Sequence, residues 1–542
     1  MLAKYFVGVD VGTGSARAGV FTETGKMIGS GKEDLQVFKY GKDFVEQSSA
    51  DIWSAVCISV RQAVSKSRID TRQIASVGFD ATCSLVVIGD NSKPLPVGDH
   101  GEPVRNVIVW MDHRAIDQAE RINRTKHSVL DYVGGQISPE METPKLLWLK
   151  ENLRSTYEAA SHFFDLADFL TWKASGSLQR SSCTTACKWT YLAHETRWDE
   201  SFFIEIGLED LAADNFAKIG SEVVLPGTPL ANGLTSSAAA ELGLPVGASV
   251  PAGLIDAHAG GIGTVGATNL NGANPESCLA YVFGTSACTM TTTSKRVSVP
   301  GVWGPYYSAM LPDMWLLEAG QSAAGAAIDH LISMSPAFSE AKKLAEQEGV
   351  GLIQWISGAV KAKCTNFSDA IRLAEGTYVV PEFLGNRAPL ANPSARALIA
   401  GLGMDTSIDG LLSLYMAGIS GLGYGLRQII AAQEEKSVFV DKIAISDGAG
   451  SDPLIRQTIA DATGIQVVSS KADEPVLLGA AMLGATSSGH FLSLQGSMES
   501  MSSFDTVYSP CGGPLSEIHE HRYAAFLKLQ SLGSQIQATS SS

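Results

Sequence analysis

The sequence predicts an α/β protein of two duplicated domains separated by a cleft. Buried strands alternate with amphipathic helices, and a glycine-punctuated β-hairpin near the N-terminus returns about half the chain further on. The length of 542 residues is enough for two to four domains. We place the boundary in the Asn- and Gly-rich stretch around 265–275, which gives an N-terminal domain over residues 1–268 and a C-terminal domain over residues 269–542.

Composition excludes several classes of protein. Hydrophobic residues make up 45% of the chain and charged residues 18%, which is too apolar for intrinsic disorder. With 40 Lys and Arg against 56 Asp and Glu, the net charge is −16, so the chain has no basic surplus with which to bind nucleic acid or an anionic membrane. Eight cysteines are too few for a disulfide scaffold, and Cys183 and Cys187 are predicted to be buried, reduced thiols.

No segment has the pattern of a secretion signal or of a membrane span. The longest uncharged run, 410–426, is interrupted by serine, tyrosine and several glycines, and it predicts a buried helix. Its small residues could line either a core or a dimer face, so a homodimer stays open. We expect a soluble, cytoplasmic protein.

The N-terminal unit is predicted to begin with three strands, a helix and a further strand. Residues 6–10 and 16–21 are the two strands of the hairpin, and a third strand follows at 27–30. Ser and Asp within 48–51 can cap a helix whose apolar residues recur at helical spacing, and the next strand is 74–79.

The turn of this hairpin, Gly12-Thr13-Gly14-Ser15, has the composition of a phosphate-binding loop. Glycine lets backbone N–H groups approach a phosphate closely, and the Thr and Ser hydroxyls add donors. Asp10, at the end of the first strand, could hold a hydrated Mg²⁺. The loop is not a Walker A motif, because no Gly-Lys-Ser/Thr follows it, and an ordinary hairpin turn would look similar.

A second copy of the pattern strengthens the interpretation as a phosphate-binding loop. Residues 279–283 and 287–292 are predicted strands on either side of the turn Gly284-Thr285-Ser286. Two such loops, one from each domain, can grip one triphosphate from opposite sides.

A glycine-rich passage in the C-terminal unit is a candidate adenosine site. The predicted strand 442–446 leads into Gly448-Ala449-Gly450-Ser451, and a helix follows. Small residues at a strand-to-helix junction let a flat ring lie on the backbone, and the helix N-terminus favours anions. A tight connection that binds nothing explains the same pattern equally well.

Asp256 is the candidate general base. It follows an apolar strand and precedes small residues and glycine, which suits a carboxylate that accepts a proton from a hydroxyl. A helix cap or a hinge is the alternative, and His258 is interpreted as a structural histidine. Polar segments beside other apolar runs either converge on a polyol or are surface and capping groups; they are 80–83, 110–114, 188–189 and 318–322.

Taken in order, several segments resemble the FGGY carbohydrate kinases, within the actin-like ATPase superfamily. The fixed order of these segments over residues 5–485 makes the resemblance specific. The matching pieces are Gly8-Val9-Asp10-Val11-Gly12-Thr13-Gly14-Ser15-Ala16-Arg17, Trp110-x-Asp112-x-Arg114, Lys145-Leu146-x-Trp148-Leu149, Gly253-x-x-Asp256-Ala257-His258, Phe283-Gly284-Thr285-Ser286, Gly320-Gln321-Ser322 and Gly448–Ser451 with Gln457 and Asp461. Residues 79–85 and 317–322 look like those of ribulokinase-type pentulose kinases.

The resemblance implies two actin-like, ribonuclease H-like ATPase domains, with ATP and Mg²⁺ in the cleft and a phosphoryl group transferred to a sugar hydroxyl. It implies that Asp10 is associated with the metal and that Asp256 is the catalytic base. It implies that the nucleotide contacts Gly12, Thr13, Gly14, Ser15, Arg17, Gly284, Thr285, Ser286, Gly448, Ala449, Gly450 and Ser451. By the same resemblance, the sugar contacts Ala81, Lys188, Asp256 and Glu318.

The first hypothesis is therefore an ATP-dependent pentulose kinase with D-ribulose as its preferred substrate. L-ribulose, xylulose and ribitol remain alternatives, because residue identity does not resolve a stereocentre or an oxidation state. A second hypothesis is an actin-like nucleotide switch that hydrolyses ATP to move its domains, and a third is a sugar sensor without catalysis. The switch has no need of Lys188, Glu318 or a polyol-lined cleft.

Overall fold

The computed structural model describes residues 4–98, 105–265, 275–374, 376–446 and 448–540. Nearly all of the predicted boundary at 265–275 lies outside these residues. The limits of the two domains therefore stay a prediction.

The described residues alternate between strands and helices, numbered in chain order. Up to the predicted boundary they are β1 (Tyr5–Val11), β2 (Ser15–Thr22), β3 (Met27–Asp34), β4 (Phe38–Tyr40), β5 (Phe44–Gln47), α1 (Ser49–Ser67), β6 (Ile74–Ala81), β7 (Leu85–Gly89), β8 (Val107–Ile108), α2 (Ile116–Thr125), α3 (Glu142–Asn152), α4 (Arg154–Ala159), β9 (Ala160–Asp165), α5 (Leu166–Ser175), β10 (Arg180–Ser181), α6 (Ser182–Lys188), α7 (Glu200–Glu205), α8 (Glu209–Ala213), β11 (Val223–Val224), α9 (Ser236–Leu242), β12 (Leu254–Ile255) and α10 (Asp256–Val265). Beyond it they are β13 (Cys278–Phe283), β14 (Ala287–Thr293), β15 (Trp303–Tyr307), β16 (Trp315–Gln321), α11 (Gly325–Ser333), α12 (Phe338–Glu348), α13 (Leu352–Ala362), β17 (Tyr378–Val380), β18 (Leu398–Ala400), α14 (Ile408–Glu434), β19 (Lys442–Ser446), α15 (Pro453–Thr463), β20 (Gln466–Ser470), α16 (Pro475–Ser487), α17 (Leu494–Met501), β21 (Phe504–Tyr508) and α18 (Pro514–Ser540).

Two large sheets share one topology. In the first sheet the strands lie in the order β12-β6-β1-β2-β3, and in the second sheet the run β20-β19-β13-β14-β16 repeats that order. The central strand of each sheet pairs antiparallel with its hairpin partner and parallel with a later strand: β1 with β2 and β6, and β13 with β14 and β19. This repetition confirms the predicted duplicated α/β fold.

The strands predicted for both hairpins are confirmed to within a few residues, although β3 continues to Asp34, past its predicted end at 30. The uncharged run 410–426 lies inside α14, and most of its residues are buried, as predicted. No helix among the residues that the structure describes is long and apolar enough to cross a membrane.

Two glycine-containing helices, α10 and α16, pack against each other and link the two sheets. Helix α10 follows the first sheet in the chain but packs mainly on β13 and β19, whereas α16 comes from the C-terminal half and packs on β1 and β6. Glycine permits this close approach: a Cβ on Gly8 would lie 2.0 Å from the carbonyl oxygen of Leu477, and one on Gly479 would lie 2.0 Å from that of Ala259. The two halves of the chain are therefore interlocked through backbone contacts.

Gly8→Ala is expected to destabilise the protein, because the added methyl group must push β1 away from α16. Overpacking of this kind costs about 1–3 kcal/mol or more. The matched control is Gly358→Ala in α13, where an added Cβ has no neighbour within 4 Å among the described residues and alanine is the better helix former. Thermal unfolding followed by circular dichroism should show a lower Tm only for Gly8→Ala, and equal Tm values would contradict the close contact.

Candidate active site

A cavity of about 300 Å³ lies at the carboxyl ends of the central parallel strands, and both halves of the chain contribute to its wall. The wall is formed by Asp10, Gly12, Thr13, Arg17, Thr82, Cys83, Trp110, Glu140, Lys188, Ile255, Asp256, Ala257, Val282, Gly284, Thr285, Ser286, Cys288, Trp303, Glu318, Arg387 and Val476. Ligands of open α/β sheets bind at this end of the strands, which makes the cavity the candidate active site.

Three carboxyl groups converge where three neighbouring parallel strands end. Asp10 on β1 is in register with Asp80 on β6, and Leu254 on β12 is in register with Asp80 from the other side. Asp256 follows β12 directly and is the first residue of α10. The register of the sheet therefore holds the three acidic side chains at one edge.

Burial makes this edge strongly attractive to protons and cations. Asp80 is fully buried, and its carboxyl group faces that of Asp10. Burial, followed by the negative charges of Asp10 and Asp256, raises the pKa of Asp80 well above its usual value. Burial, with a further contribution from the charge of Asp10, raises the pKa of Asp256 to about 6.

Arg17 neutralises part of this negative charge. Its Nε donates a hydrogen bond to Oδ2 of Asp10 at 2.9 Å, and its Nη1 donates to Oε2 of Glu474 at 2.8 Å. Glu474 immediately precedes α16. Arg17 thus joins the acidic edge of the first sheet to the helix that covers it.

Side chains from outside the hairpin hold the first hairpin turn in place. The indole Nε1 of Trp110 donates to Oγ1 of Thr13 at 2.9 Å, and Nε2 of Gln47 donates to the carbonyl oxygen of Thr13 at 2.8 Å. The carbonyl oxygen of Gly14 accepts from the N–H of Leu35 at 3.0 Å. Thr13 is consequently fixed in the cavity wall.

The motif Trp110-x-Asp112-x-Arg114 anchors the segment that brings Trp110 to Thr13. The guanidinium of Arg114 lies 2.9 Å from Oε1 of Glu46 and 2.7 Å from Oδ2 of Asp112, and all three side chains are fully buried. Removing one member of such a cluster leaves a buried charge without compensation.

Arg114→Ala is therefore expected to lower the free energy of unfolding by about 3–5 kcal/mol. Arg121→Ala is the control, because Arg121 pairs with Glu151 at the surface, and an exposed pair contributes about 0–1 kcal/mol. Urea denaturation of both variants measures the difference. Similar losses in the two variants would show that the buried cluster does not hold this segment.

The second hairpin turn, Gly284-Thr285-Ser286, lies in the cavity wall and is tied to the start of α11. The N–H of Ala324 donates to the carbonyl oxygen of Thr285 at 2.9 Å, and the N–H of Gly325 donates to that of Gly284 at 3.0 Å. These bonds fix the turn against the start of α11 and use the N–H groups of Ala324 and Gly325.

The predicted adenosine loop forms a short 3₁₀ helix, Gly448–Ser451, that borders this second turn. Gly448 has a φ of 39°, and a Cβ there would lie 3.1 Å from the carbonyl oxygen of Phe283. The carbonyl oxygen of Gly450 accepts a hydrogen bond from Nε of Arg456 at 2.7 Å. The side chain of Ala449 lies outside the described residues.

Lys188, Glu318 and Arg387 bring charges of both signs into the cavity wall. Nζ of Lys188 lies 5.7 Å and Cζ of Arg387 lies 5.3 Å from the centre of the Trp303 ring. Burial opposes the charge of Glu318, but Lys188 and His258 outweigh burial and lower its pKa to about 2. Burial likewise opposes the charge of Lys188, yet its ionisable neighbours raise its pKa well above the usual value. These ionised groups can donate to and accept from several hydroxyls of a polyol.

The cavity brings together most of the residues expected from the sequence. Its wall contains Asp10, Gly12, Thr13, Arg17, Lys188, Asp256, Gly284, Thr285, Ser286 and Glu318. Among the described side chains, those outside the wall are Gly14, Ser15, Ala81, Gly448, Gly450 and Ser451. Ala81 is fully buried, and the residue that follows it, Thr82, reaches the cavity instead.

Sequence reasoning missed Glu140, Trp303 and Arg387. Glu140 precedes α3, Trp303 begins β15, and Arg387 lies in the loop between β17 and β18. No motif or periodicity marks these positions. Thr82 and Trp110, in contrast, belong to polar segments that the sequence had singled out. The thiols of Cys183 and Cys187 are free and buried, which confirms that prediction.

Comparison with known proteins agrees with this geometry. Residues 5–263 match the N-terminal domain of the FGGY family of carbohydrate kinases, and residues 279–488 match the C-terminal domain of that family. The chain is 45% identical over 537 residues to the FGGY carbohydrate kinase domain-containing protein of Homo sapiens, covering 97% of this chain and 96% of that one. It is 36% identical over 520 residues to a D-ribulokinase of Saccharomyces cerevisiae, covering 90% of this chain and 72% of that one.

Among solved structures, the ligand-bound xylulose kinase from Lactobacillus acidophilus superposes with a TM-score of 0.79 at 17% sequence identity, covering 98% of both chains. The repeated sheets have the two-domain α/β fold of these solved structures, and the family match shows that the protein is a carbohydrate kinase. The chain belongs to the FGGY family of carbohydrate kinases, and it is a sugar kinase.

Proposed function

We propose that this sugar kinase uses ATP to phosphorylate a pentulose, with D-ribulose as substrate and D-ribulose 5-phosphate as product. The observation that carries the proposal is the cavity, in which Asp256, Lys188 and Glu318 share one wall with both hairpin turns. Similarity to a D-ribulokinase over 90% of the chain supports the choice of sugar.

Asp256 is the proposed general base. Its pKa of about 6 leaves the carboxylate largely ionised at neutral pH and basic enough to accept a proton from the sugar hydroxyl. Phosphoryl transfer depends mainly on positioning and on neutralisation of charge, so the base contributes only part of the acceleration.

Lys188 and Glu318 are the proposed sugar-binding side chains, together with Asp256. The ammonium group of Lys188 donates to sugar oxygens, whereas the carboxylate of Glu318 accepts from sugar hydroxyls. Ala81 contributes to this site through the backbone that leads into Thr82, because its own side chain is buried.

The phosphates of the nucleotide are assigned to the two hairpin turns. Gly12, Thr13 and Thr285 line the cavity, and the backbone and hydroxyl donors of the two threonines suit phosphate oxygens. The 3₁₀ helix Gly448–Ser451 borders the second turn, so a nucleotide that lies along that turn would continue onto it. We assign this helix to the adenosine.

The acidic edge of the first sheet suits a divalent cation. Asp10 lines the cavity beside the first hairpin turn, and hard oxygen ligands are those that Mg²⁺ prefers. Asp10 would hold the cation, with water completing its shell. When bound, a divalent cation neutralises the charge on phosphate oxygens.

The hypothesis of a nucleotide switch leaves the charges of Lys188 and Glu318 in the cavity wall without a role.

L-ribulose, xylulose and ribitol are the competing substrates, and one experiment ranks them against D-ribulose. A cytoplasmic location and a homodimer stay predictions.

With a panel of pentuloses and pentitols, kcat/KM is expected to be highest for D-ribulose. ATP consumption should depend on added sugar, because the sugar hydroxyl is the phosphoryl acceptor. An assay that couples ADP formation to a spectroscopic signal measures both. ATP hydrolysis that ignores added sugar would favour the switch, and a higher kcat/KM for another sugar would replace D-ribulose.

Asp256→Asn is expected to lower kcat by about 10²–10⁴-fold, because the amide cannot accept a proton. Binding of ADP, followed by isothermal titration calorimetry, should change little, since the proposed nucleotide contacts lie elsewhere. Asp117→Asn, at an exposed position in α2, is the control and should retain activity. Near-normal turnover by Asp256→Asn would remove this residue from its role.

The value of kcat/KM is expected to fall as the pH drops through about 6, the raised pKa of Asp256. Below that pH the carboxyl group is protonated and cannot serve as a base. An ordinary aspartate, with a pKa of about 4, would place the loss at a lower pH. Initial rates in buffers of constant ionic strength give the profile, and a flat profile across pH 6 would contradict the assignment.

A further inference from the structure

We propose that a buried chain of three side chains, Cys183, His258 and Glu318, fixes the carboxylate of Glu318 for sugar binding, with His258 as the positioning residue. The proposal rests on the proposed kinase function and deepens it, because it names what holds a sugar-binding group in place.

Both ring nitrogens of His258 are engaged. Nδ1 lies 3.0 Å from Sγ of Cys183, and Nε2 lies 3.3 Å from Oε2 of Glu318. The imidazole is fully buried, so the loss of either contact leaves a polar atom that solvent does not compensate. This burial makes the ring a rigid link between a thiol and a carboxylate.

The contacts among Cys183, His258 and Glu318 connect the three elements that carry the charged sugar-binding residues. Cys183 lies on α6, the helix that ends with Lys188. His258 lies in the first turn of α10, which begins with Asp256. Glu318 lies on β16 in the second sheet. The three side chains thus fix the mutual positions of Lys188, Asp256 and Glu318.

The surroundings of Cys183 favour a thiolate. Its sulfur accepts the N–H of Ile255 at 3.4 Å in addition to the contact with His258. Burial opposes the thiolate, but hydrogen bonds from Cys187 and interactions with His258 lower the pKa of Cys183 to about 5. Burial also opposes the imidazolium, but the charge of Cys183 and the bond to Glu318 raise the pKa of His258 to about 10.

The link from His258 to Glu318 is therefore a buried contact between an imidazolium and a carboxylate. This contact holds Oε2 of Glu318, and the carboxylate can still accept hydrogen bonds from a ligand in the cavity that Glu318 lines. A preorganised acceptor loses less freedom when a ligand binds, so the sugar binds more tightly.

Two amide variants test the link. His258→Gln keeps an N–H₂ group near the position of Nε2 and so keeps a donor for Glu318, whereas His258→Asn reaches only the position of Nδ1. We expect His258→Asn to raise the KM for sugar about ten- to a hundredfold, His258→Gln to raise it much less, and neither to change the KM for ATP.

His519→Asn is the matched control, because it removes another buried histidine that lies on α18 and outside the cavity wall. Its KM for sugar should equal that of the unmodified protein. The proposal is overturned if His258→Asn leaves the KM for sugar unchanged, or if both amide variants raise it equally.

Cys183→Ser tests the charged pair without any substrate. A thiolate absorbs more strongly in the ultraviolet than a thiol, so Cys183→Ser should remove thiolate absorbance at neutral pH. Cys278→Ser removes another buried thiol, whose pKa burial raises to about 12, and it should remove none. Equal spectra for the two variants would overturn the charged pair. This measurement needs no sugar. It therefore distinguishes a failure of the proposed Cys183–His258–Glu318 contacts from a failure of the proposed substrate.

Discussion

The register of three parallel strands forces Asp10, Asp80 and Asp256 to one edge of the first sheet, and the rest of the site depends on how the protein tolerates that concentration of negative charge. Arg17 pairs with Asp10. Asp256 begins a helix and accepts the N–H of Ala257 at 2.7 Å, an arrangement that favours a negative charge at the helix N-terminus. Asp80 lies beside Asp10, and burial with the neighbouring negative charges raises its pKa well above the usual value, so it retains a proton. The repulsion among these three carboxyl groups costs stability. It also makes the edge of the sheet basic and attractive to a cation.

Features encoded locally could be predicted from the sequence. Both hairpins follow from short apolar runs interrupted by glycine and threonine, and the repeated turns indicated the duplication that the two sheets show. Asp256 was recognisable because a carboxylate directly after a buried strand reaches the edge where ligands bind. These signals come from residues that are close in the sequence, so they can be recognised before the fold is known.

Features that depend on distant parts of the chain could not be predicted. Arg387 and Trp303 reach the cavity through loops and strand ends whose paths are set by the packing of the second sheet. The contact between Cys183 and His258 joins residues 75 positions apart, so His258 could be interpreted only as a structural histidine. The sequence also did not indicate that Gly448, Gly450 and Ser451 lie outside the cavity wall, because the position of Gly448 is defined by the second hairpin turn.

Helices α10 and α16 make the two halves of the chain depend on each other for burial. Each sheet is covered by a helix that belongs, in sequence, to the other half, and glycine lets the backbones of these layers approach closely. A severed half of the chain would therefore leave an apolar sheet face bare to water.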